Sequence, residues 1–301
     1  MEDSGSVSTF DPIQYKINTK INWDTVAPLY HKNWASTYNG PFKATLELIK
    51  FADINPNDTV LDLACGTGAV LNEASRHMNN KLNRYRSNKG ILIGVDISRS
   101  ALSIAKQSTF PYPVRSLFIE MDAENLGFRK SFFSKILCQF GLMFFPNILS
   151  VLKEIKELLM MDGKLCISVH GTSERVPYFS CIMDSILKQI PNLRPKGTPS
   201  VHTLGNRKDL CSILKNANFS NILIRKYNFY YQAGTFEEYW SDYMSSTANS
   251  ILPLLKSKGT DTISSIKRDS KENSEKYAND NGTINFPWEV LIATAYNNKK
   301  N

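Results

Sequence analysis

The chain has 301 residues, of which 42% are hydrophobic and 21% charged, with a net charge of +8 at pH 7. That length supports one sizeable core with a smaller cap, and the absence of an apolar run of about 18 residues argues against a transmembrane helix. The opening MEDSGSVSTFDPIQ is polar, without the apolar stretch of a secretory signal, so a cytoplasmic protein is expected. In chain order, residues 1–18 read as a loose tail. Trp23, Val26, Leu29, Tyr30 and Trp34 recur near helical spacing, which predicts a helix over 21–38 with Asp24 capping its first turn. A second helix is predicted over 42–51, and the turn at 55–58 leads into a strand at 60–63. Helix 70–78, an exposed basic connection at 79–90, strand 91–95, helix 99–107, strand 114–120 and strand 133–140 follow. An amphipathic helix over 147–161 is stopped by Asp162-Gly163 before a strand at 164–169. Beyond this point helices are expected at 178–190, 206–217 and 236–244, with a polar surface helix in 256–282, and strands at 221–231 and 288–296. Strands alternating with helices describe an α/β chain with a parallel sheet and right-handed crossovers.

The informative stretch is TVLDLACGTGAV at 59–70, a buried strand, a glycine turn and a helix opening on that turn. Such a turn cradles several nucleoside-bearing cofactors. The position three beyond Gly68 is Leu71, so the dinucleotide fingerprint lacks its third glycine, and no Gly-Lys-Ser/Thr follows to make a phosphate loop. Asp96 closes the second strand, where a carboxylate can accept hydrogen bonds from both hydroxyls of a ribose. Asp122 follows the third strand and can accept from an adenine amino group. Two carboxylates beside a nucleoside disfavour a pyrophosphate and favour a ligand that is cationic or carries no phosphate.

Cys65, Cys138, Cys166, Cys181 and Cys211 lie far apart with no C-x-x-C pair, and the histidines are scattered, so no metal site is expected. The basic excess is dispersed apart from the 81–89 stretch, without an Arg-rich tract. This reads as a solvated surface and disfavours a nucleic-acid partner.

Four motifs in order, DLACGTG at 62–68, GVDIS at 94–98, DAENLGF at 122–128 and QFGLMFFPN at 139–147, resemble those of class I S-adenosylmethionine-dependent methyltransferases. Within that family they are similar to the small-molecule enzymes of ubiquinone and menaquinone biosynthesis. The resemblance implies a Rossmann-like methyltransferase fold: a seven-stranded, mostly parallel sheet with helices on both faces and a helical cap. It implies one domain over 19–301, with cap segments at about 172–205 and 233–283. The implied cofactor is S-adenosyl-L-methionine. Asp62, Ala64, Gly66 and Gly68 would hold its methionine part, Asp96 the ribose, and Ile97, Asp122 and Ala123 the adenine. Gln139 and Phe140 would line the sulfonium side, and Tyr30 would close over the cofactor.

His170, just past the fifth strand, is the best-placed candidate for a general base, and Glu174 is a weaker one. A loop histidine bonded to backbone is the competing reading. The Asn/Asp-Pro-Pro-Tyr/Phe signature of amino-group methylation is missing after the fourth strand. Phe144, Phe145, Phe179, Tyr230, Tyr231, Phe236, Tyr239 and Trp240 instead suit a small apolar or aromatic acceptor. An RNA methyltransferase and a non-catalytic cofactor-binding partner subunit are the alternatives, and a homodimer is left open.

Overall fold

Each continuous apolar run becomes a strand of one sheet. In a computed structural model, which describes residues 9–35, 40–81, 90–108 and 114–298, the strands are β1 (Thr59–Leu63), β2 (Ile91–Asp96), β3 (Arg115–Glu120), β4 (Phe133–Gln139), β5 (Leu159–His170), β6 (Ser220–Gly234) and β7 (Ile284–Tyr296). Their order is β3-β2-β1-β4-β5-β7-β6. Pairings from β3 across to β5 are parallel, and β7 runs antiparallel between β5 and β6. The chain leaves β1 toward β2 and β3, then returns to β4 on the other side. The carboxyl ends of β1 and β4 therefore flank a topological switch point, where open α/β sheets bind ligands. Ten α-helices accompany the sheet among the described residues and cover both of its faces, as the resemblance implied.

Helix α1 (Pro12–Trp34) begins earlier than the sequence predicted. Asp11 caps it, accepting hydrogen bonds from the backbone of Ile13 and Gln14, and Pro12 occupies a first-turn position where its missing N–H is harmless. Residues 12–18, expected in the tail, are its opening turns. Asp24 does not cap this helix. It lies mid-helix and accepts from Ser98 Oγ (2.8 Å) and the Ser100 backbone (3.1 Å) at the start of α4 (Arg99–Ser108). Ser98 itself caps α4 through the Ala101 backbone. The expected helix end at 36–38 and the basic connection at 82–89 lie outside the described residues.

Helices α2 (Ala44–Ala52) and α3 (Ala69–Lys81) flank β1. Helix α5 (Ile148–Leu158) is capped by Asn147 and buries Val151, Leu152, Ile155 and Leu158 along one face. It ends short of the predicted Asp162-Gly163. Residues 159–161 have already joined β5, and the Asn297 side chain takes up the helix-end carbonyls of Lys156 and Leu159. Asp162-Gly163 instead forms an excursion within β5, where the pairing with β4 shifts register.

The segments expected to form the cap carry α6 (Pro177–Gln189), α8 (Phe236–Ser245), α9 (Leu252–Ser257) and α10 (Thr260–Glu275), with α7 (Arg207–Asn216), which packs on α5 and β6, between them in the chain. Helix α10 is not wholly on the surface, because its Ile266, Ser270 and Ser274 are buried. Tyr239 and Tyr243 of α8 donate to the carbonyls of Tyr178 and Phe179 in α6, and Tyr178 donates to Asp242. Three buried phenols thus pin one cap helix to another.

Candidate functional site

The turn after β1 is tied to the end of β2. Cys65 donates its backbone N–H to Val95 O (2.9 Å), and the Gly66 N–H reaches a carboxylate oxygen of Asp96 at 2.8 Å. Gly66 has φ +53°, and a Cβ there would meet open space, so the residue gives the backbone a left-handed turn beside a void. Gly68 serves packing. A Cβ on it would stand 3.1 Å from Ala105 Cβ of α4. Two non-glycine residues also sit at positive φ on adjacent strand ends, Ala64 after β1 (+55°) and Phe140 after β4 (+55°). Each such residue costs roughly 1 kcal/mol or more, and strain of this kind is held at functional sites.

An inner chamber of ≈ 130 Å³ opens at these strand ends. It brings together Ala64, Gly66, Asp96 and Ile97 on one side with Asp122 and Ala123. Gln139, Phe140 and Tyr30 complete the predicted residues in its wall. Asp62 and Gly68 lie behind the turn rather than on the chamber surface. Lys16, Thr19 and Trp23 of α1 line it too and were not foreseen. No sequence signal marks Lys16, whose partners are more than a hundred positions away.

The chamber is electronegative. Asp96 accepts from the backbones of Gly66 and Ser98, both at 2.8 Å, yet burial holds its pKa above the usual carboxylate range, with Asp24 adding to the shift. Asp62 is 1% exposed, neither of its oxygens has a partner, and burial followed by the Asp96 charge pushes its pKa well up. The Tyr30 hydroxyl is raised by burial and by Asp96 as well. Gln139 donates to Thr45 Oγ1 (2.8 Å), and its own carbonyl oxygen is buried without a donor. Orphaned acceptors of this kind cost free energy until a donor reaches them. Asp122 accepts from the Glu124 backbone (2.9 Å) and from Lys16 Nζ (2.7 Å), which also pairs with Glu124 at 2.8 Å. Backbone turn, paired carboxylates and uncovered acceptors together fit a cationic amino acid joined to a nucleoside.

His170 lines a larger, outer chamber, in surroundings that disfavour a general base. Its ring stacks on Phe140 at 4.2 Å, and Nδ1 accepts from the Trp288 indole N–H at 3.2 Å. Burial, with a smaller effect of His202, pushes its pKa down to about 3. The basic lone pair is already engaged and the ring is neutral near pH 7. Glu174 is exposed on the turn beyond β5.

A larger chamber of ≈ 760 Å³ adjoins the inner one, and Tyr15, Trp23, Tyr30, Phe140 and Phe144 line both. Of the aromatic residues expected around an acceptor, Phe144 and Phe179 line this outer chamber. Phe145 belongs to the inner one. Tyr230 is 71% exposed, Tyr231 packs on Trp34 and Trp288, and Phe236, Tyr239 and Trp240 belong to the packing of α8. Trp23 and Trp34 of α1 supply the rings those positions do not. Among the described residues no helix is long and apolar enough to cross a membrane.

Comparison with known proteins agrees with this geometry. A family model described as a methyltransferase domain matches residues 54–225. The ubiquinone/menaquinone biosynthesis C-methyltransferase UbiE of Wigglesworthia glossinidia brevipalpis is 32% identical over 115 residues, covering 38% of this chain and 43% of that enzyme. The demethylmenaquinone methyltransferase of Oceanobacillus iheyensis is 25% identical over 208 residues, covering 65% of this chain and 80% of the enzyme. Among solved structures, phosphoethanolamine N-methyltransferase 2 of Haemonchus contortus superposes with a TM-score of 0.57 at 14% identity, over 97% of this chain and 61% of that one. At that identity the likeness is one of fold.

Proposed function

The chain belongs to the class I S-adenosylmethionine-dependent methyltransferase family, and on that premise we propose that it methylates a small, largely apolar or aromatic molecule held in the outer chamber. The observation that carries this reading is the wall shared by the two chambers. Trp23, Tyr30, Phe140 and Phe144 border both, so a ligand in one can touch a ligand in the other.

S-Adenosylmethionine supplies a methyl group already activated on a sulfonium, which leaves binding and orientation to the protein. Asp96 accepts hydrogen bonds from the ribose hydroxyls. Asp122 accepts from the adenine amino group, while Ile97 and Ala123 pack on the base. The backbone of Ala64 and Gly66 holds the amino-acid tail, and the uncovered oxygens of Asp62 and Gln139 provide acceptors at that end. Gly68 supports the turn from behind by letting α4 approach. Tyr30 and Phe140 keep water from the junction. His170 props Phe140 through the stacked contact and moves no proton, so an acceptor that ionises or reacts unaided suits the site.

A concave chamber with aromatic rings at its junction with the cofactor end supports a small acceptor over a nucleic acid. The described lysines of α1 beside the inner chamber are already engaged, Lys16 by Asp122 and Glu124 and Lys20 by Glu120. In this reading the protein is cytoplasmic, and a homodimer would place two such sites together. The domain runs through α1 to β7, with its cap in the segments after β5 and β6.

Asp96→Ala tests the cofactor assignment by titration calorimetry. Affinity for S-adenosylmethionine should fall by about 100-fold or more, the scale of losing charge-assisted hydrogen bonds to two hydroxyls. Unchanged affinity would remove the ribose role. Transfer of labelled methyl to hydrophobic phenols, with total RNA as the competitor, tests the acceptor class. Labelling confined to RNA would reverse it.

A further inference from the structure

The outer chamber is bordered by two charged side chains among its described wall residues, Asp11 and Arg194. Asp11 is committed, because its carboxylate caps α1. Arg194 is not. It follows the short turn Pro191–Leu193 beyond α6, is half-buried, and among the described residues forms no ion pair and no side-chain hydrogen bond. Its charge acts on Tyr15, His202 and Tyr243. Asp184 acts on His202 and Tyr243 from the same region but makes no ion pair with it. Tyr15 lines both chambers, so this cation stands within reach of the junction.

A half-buried guanidinium in the chamber wall, with no ion pair among the described residues, has lost part of its hydration without gaining an opposite charge. Its planar donor fork matches a carboxylate or phosphate in two parallel hydrogen bonds, and in a partly dehydrated wall that pairing is much stronger than in water. Together with the methyl-transfer reading, on which this step rests, we propose that Arg194 anchors an anionic group, a carboxylate or phosphate, on an otherwise apolar acceptor. The anchor selects amphiphilic anions over neutral hydrocarbons and fixes which end of the acceptor faces the cofactor.

The test is calorimetric binding of 2-naphthylacetate, 2-naphthyl phosphate and the neutral 2-naphthylacetamide to the S-adenosylmethionine-loaded protein. Wild type should bind at least one of the anions about tenfold or more tighter than the amide, the order expected of a bidentate charged pair. The acetate and phosphate arms tell the two anion classes apart. In Arg194→Gln the preference should shrink to about twofold or less, and Arg194→Lys should keep part of it, since a point charge replaces the fork. Equal binding of anions and amide by wild type, or a preference that survives Arg194→Gln, overturns the anchor. Cofactor affinity measured on the same samples should match wild type in both variants. Retained cofactor binding without anion preference defeats the anchor alone, whereas failure of wild type to bind cofactor defeats the methyltransferase reading beneath it.

Discussion

The two chambers meet at one wall but are built from different materials. The inner one lies at the ends of β1 to β4 and is furnished with carboxylates and backbone N–H groups. The outer one is bordered by α1, α6 and the stretches around 193–201 and 246–253, and is furnished with rings, neutral amides and hydroxyls, and a cation, Arg194, that is unpaired among the described residues. The ends of β1, β2 and β4 are held by a hydrogen-bonded ladder on both sides, so polar groups there can be aimed and kept. Helices and connecting segments packed on a sheet edge can vary their side chains without disturbing that ladder. The cofactor end is therefore the rigid half of the site and the acceptor end the adaptable half, which implies that substitutions in one should leave the other's ligand largely untouched.

The largest effect is expected in the outer chamber. Trp34 is 6% exposed, stacks on Tyr231 and meets Tyr178 and Trp288 edge-on. Trp34→Ala should lower stability by roughly 3–5 kcal/mol, the range for truncating a buried aromatic residue. Affinity for S-adenosylmethionine should stay within about twofold in the molecules that remain folded. Denaturant titration and calorimetry read the two quantities separately, and a matching collapse of cofactor affinity would mean that the chambers are one unit.

Asp62 probes the inner chamber with two opposed signs. Its carboxylate is buried and uncovered, so it opposes folding of the empty protein and should be relieved by a cationic ligand. Asp62→Asn removes the charge but keeps the shape. The ligand-free variant should gain about 1 kcal/mol, because an unpaired amide is less costly to bury than a charge. Cofactor affinity should drop by about tenfold or more. Loss of both stability and affinity would mean that Asp62 has a structural partner in the folded protein.

These contrasts also account for what could be read from the chain. Buried parallel strands are short apolar runs ending in a carboxylate or glycine, which is why Asp96, Asp122 and the 64–68 turn could be located from sequence. Helix α1 was harder, because Ile13, Ile17 and Ile21 are exposed, and its buried residues are few and clustered toward its end. Its apolar period is weak where the helix starts. The roles of Lys16, Asp24 and His170 depend on Asp122, Ser98 and Trp288, partners 106, 74 and 118 positions away. No local pattern encodes such pairings. Gly68 could not be separated from Gly66 by spacing, since the difference between them is what each faces in space.

The pH dependence of the empty protein sharpens the electrostatic half of the contrast. Asp62 and Asp96 have folded-state pKa values above those of the unfolded chain. Their contribution to stability is complete below the unfolded value, about 4, and is lost as pH rises through the raised values. Asp24 and Asp53 are shifted down and act in the opposite sense, their stabilisation being lost as pH falls through the acid range below about 4. His77, His170 and His202 are shifted down by burial and add stability as pH rises toward their unfolded value of about 6.5, so the raised pair should show above that value, as a decline in the ligand-free melting temperature. Saturating S-adenosylmethionine should flatten the decline, and Asp62→Asn should reduce it. A profile that is flat without ligand would mean that both carboxylates are solvated in the folded state.

The smallest effect concerns the seam by which α1 closes the inner chamber. Lys16 bridges Asp122 and Glu124, and Lys20 reaches both Glu120 and the Ile97 carbonyl. Asp24 adds the contacts that cap α4. At ≈ 130 Å³ the inner chamber is smaller than the roughly 300–1,000 Å³ of most ligand sites, and α1 forms one of its walls. Exposed or half-exposed ion pairs contribute only about 0.2–1 kcal/mol each, enough to set a rate but not to fix an affinity. Lys16→Met also frees an Asp122 oxygen for the adenine, which offsets the loss of the pair in the closed state. Association and dissociation of the cofactor should therefore both quicken by about twofold to fivefold, with the equilibrium constant moving by about twofold or less. Stopped-flow fluorescence of Trp23 and Trp34 would follow both steps. Raising the salt to about 0.5 M, where charges are screened within a few ångströms, should quicken wild type and leave Lys16→Met nearly unchanged. Rates in wild type that ignore salt would place the closing force in the ring contacts of Trp23 and Tyr30 instead, and α1 would then belong to the aromatic half of the site.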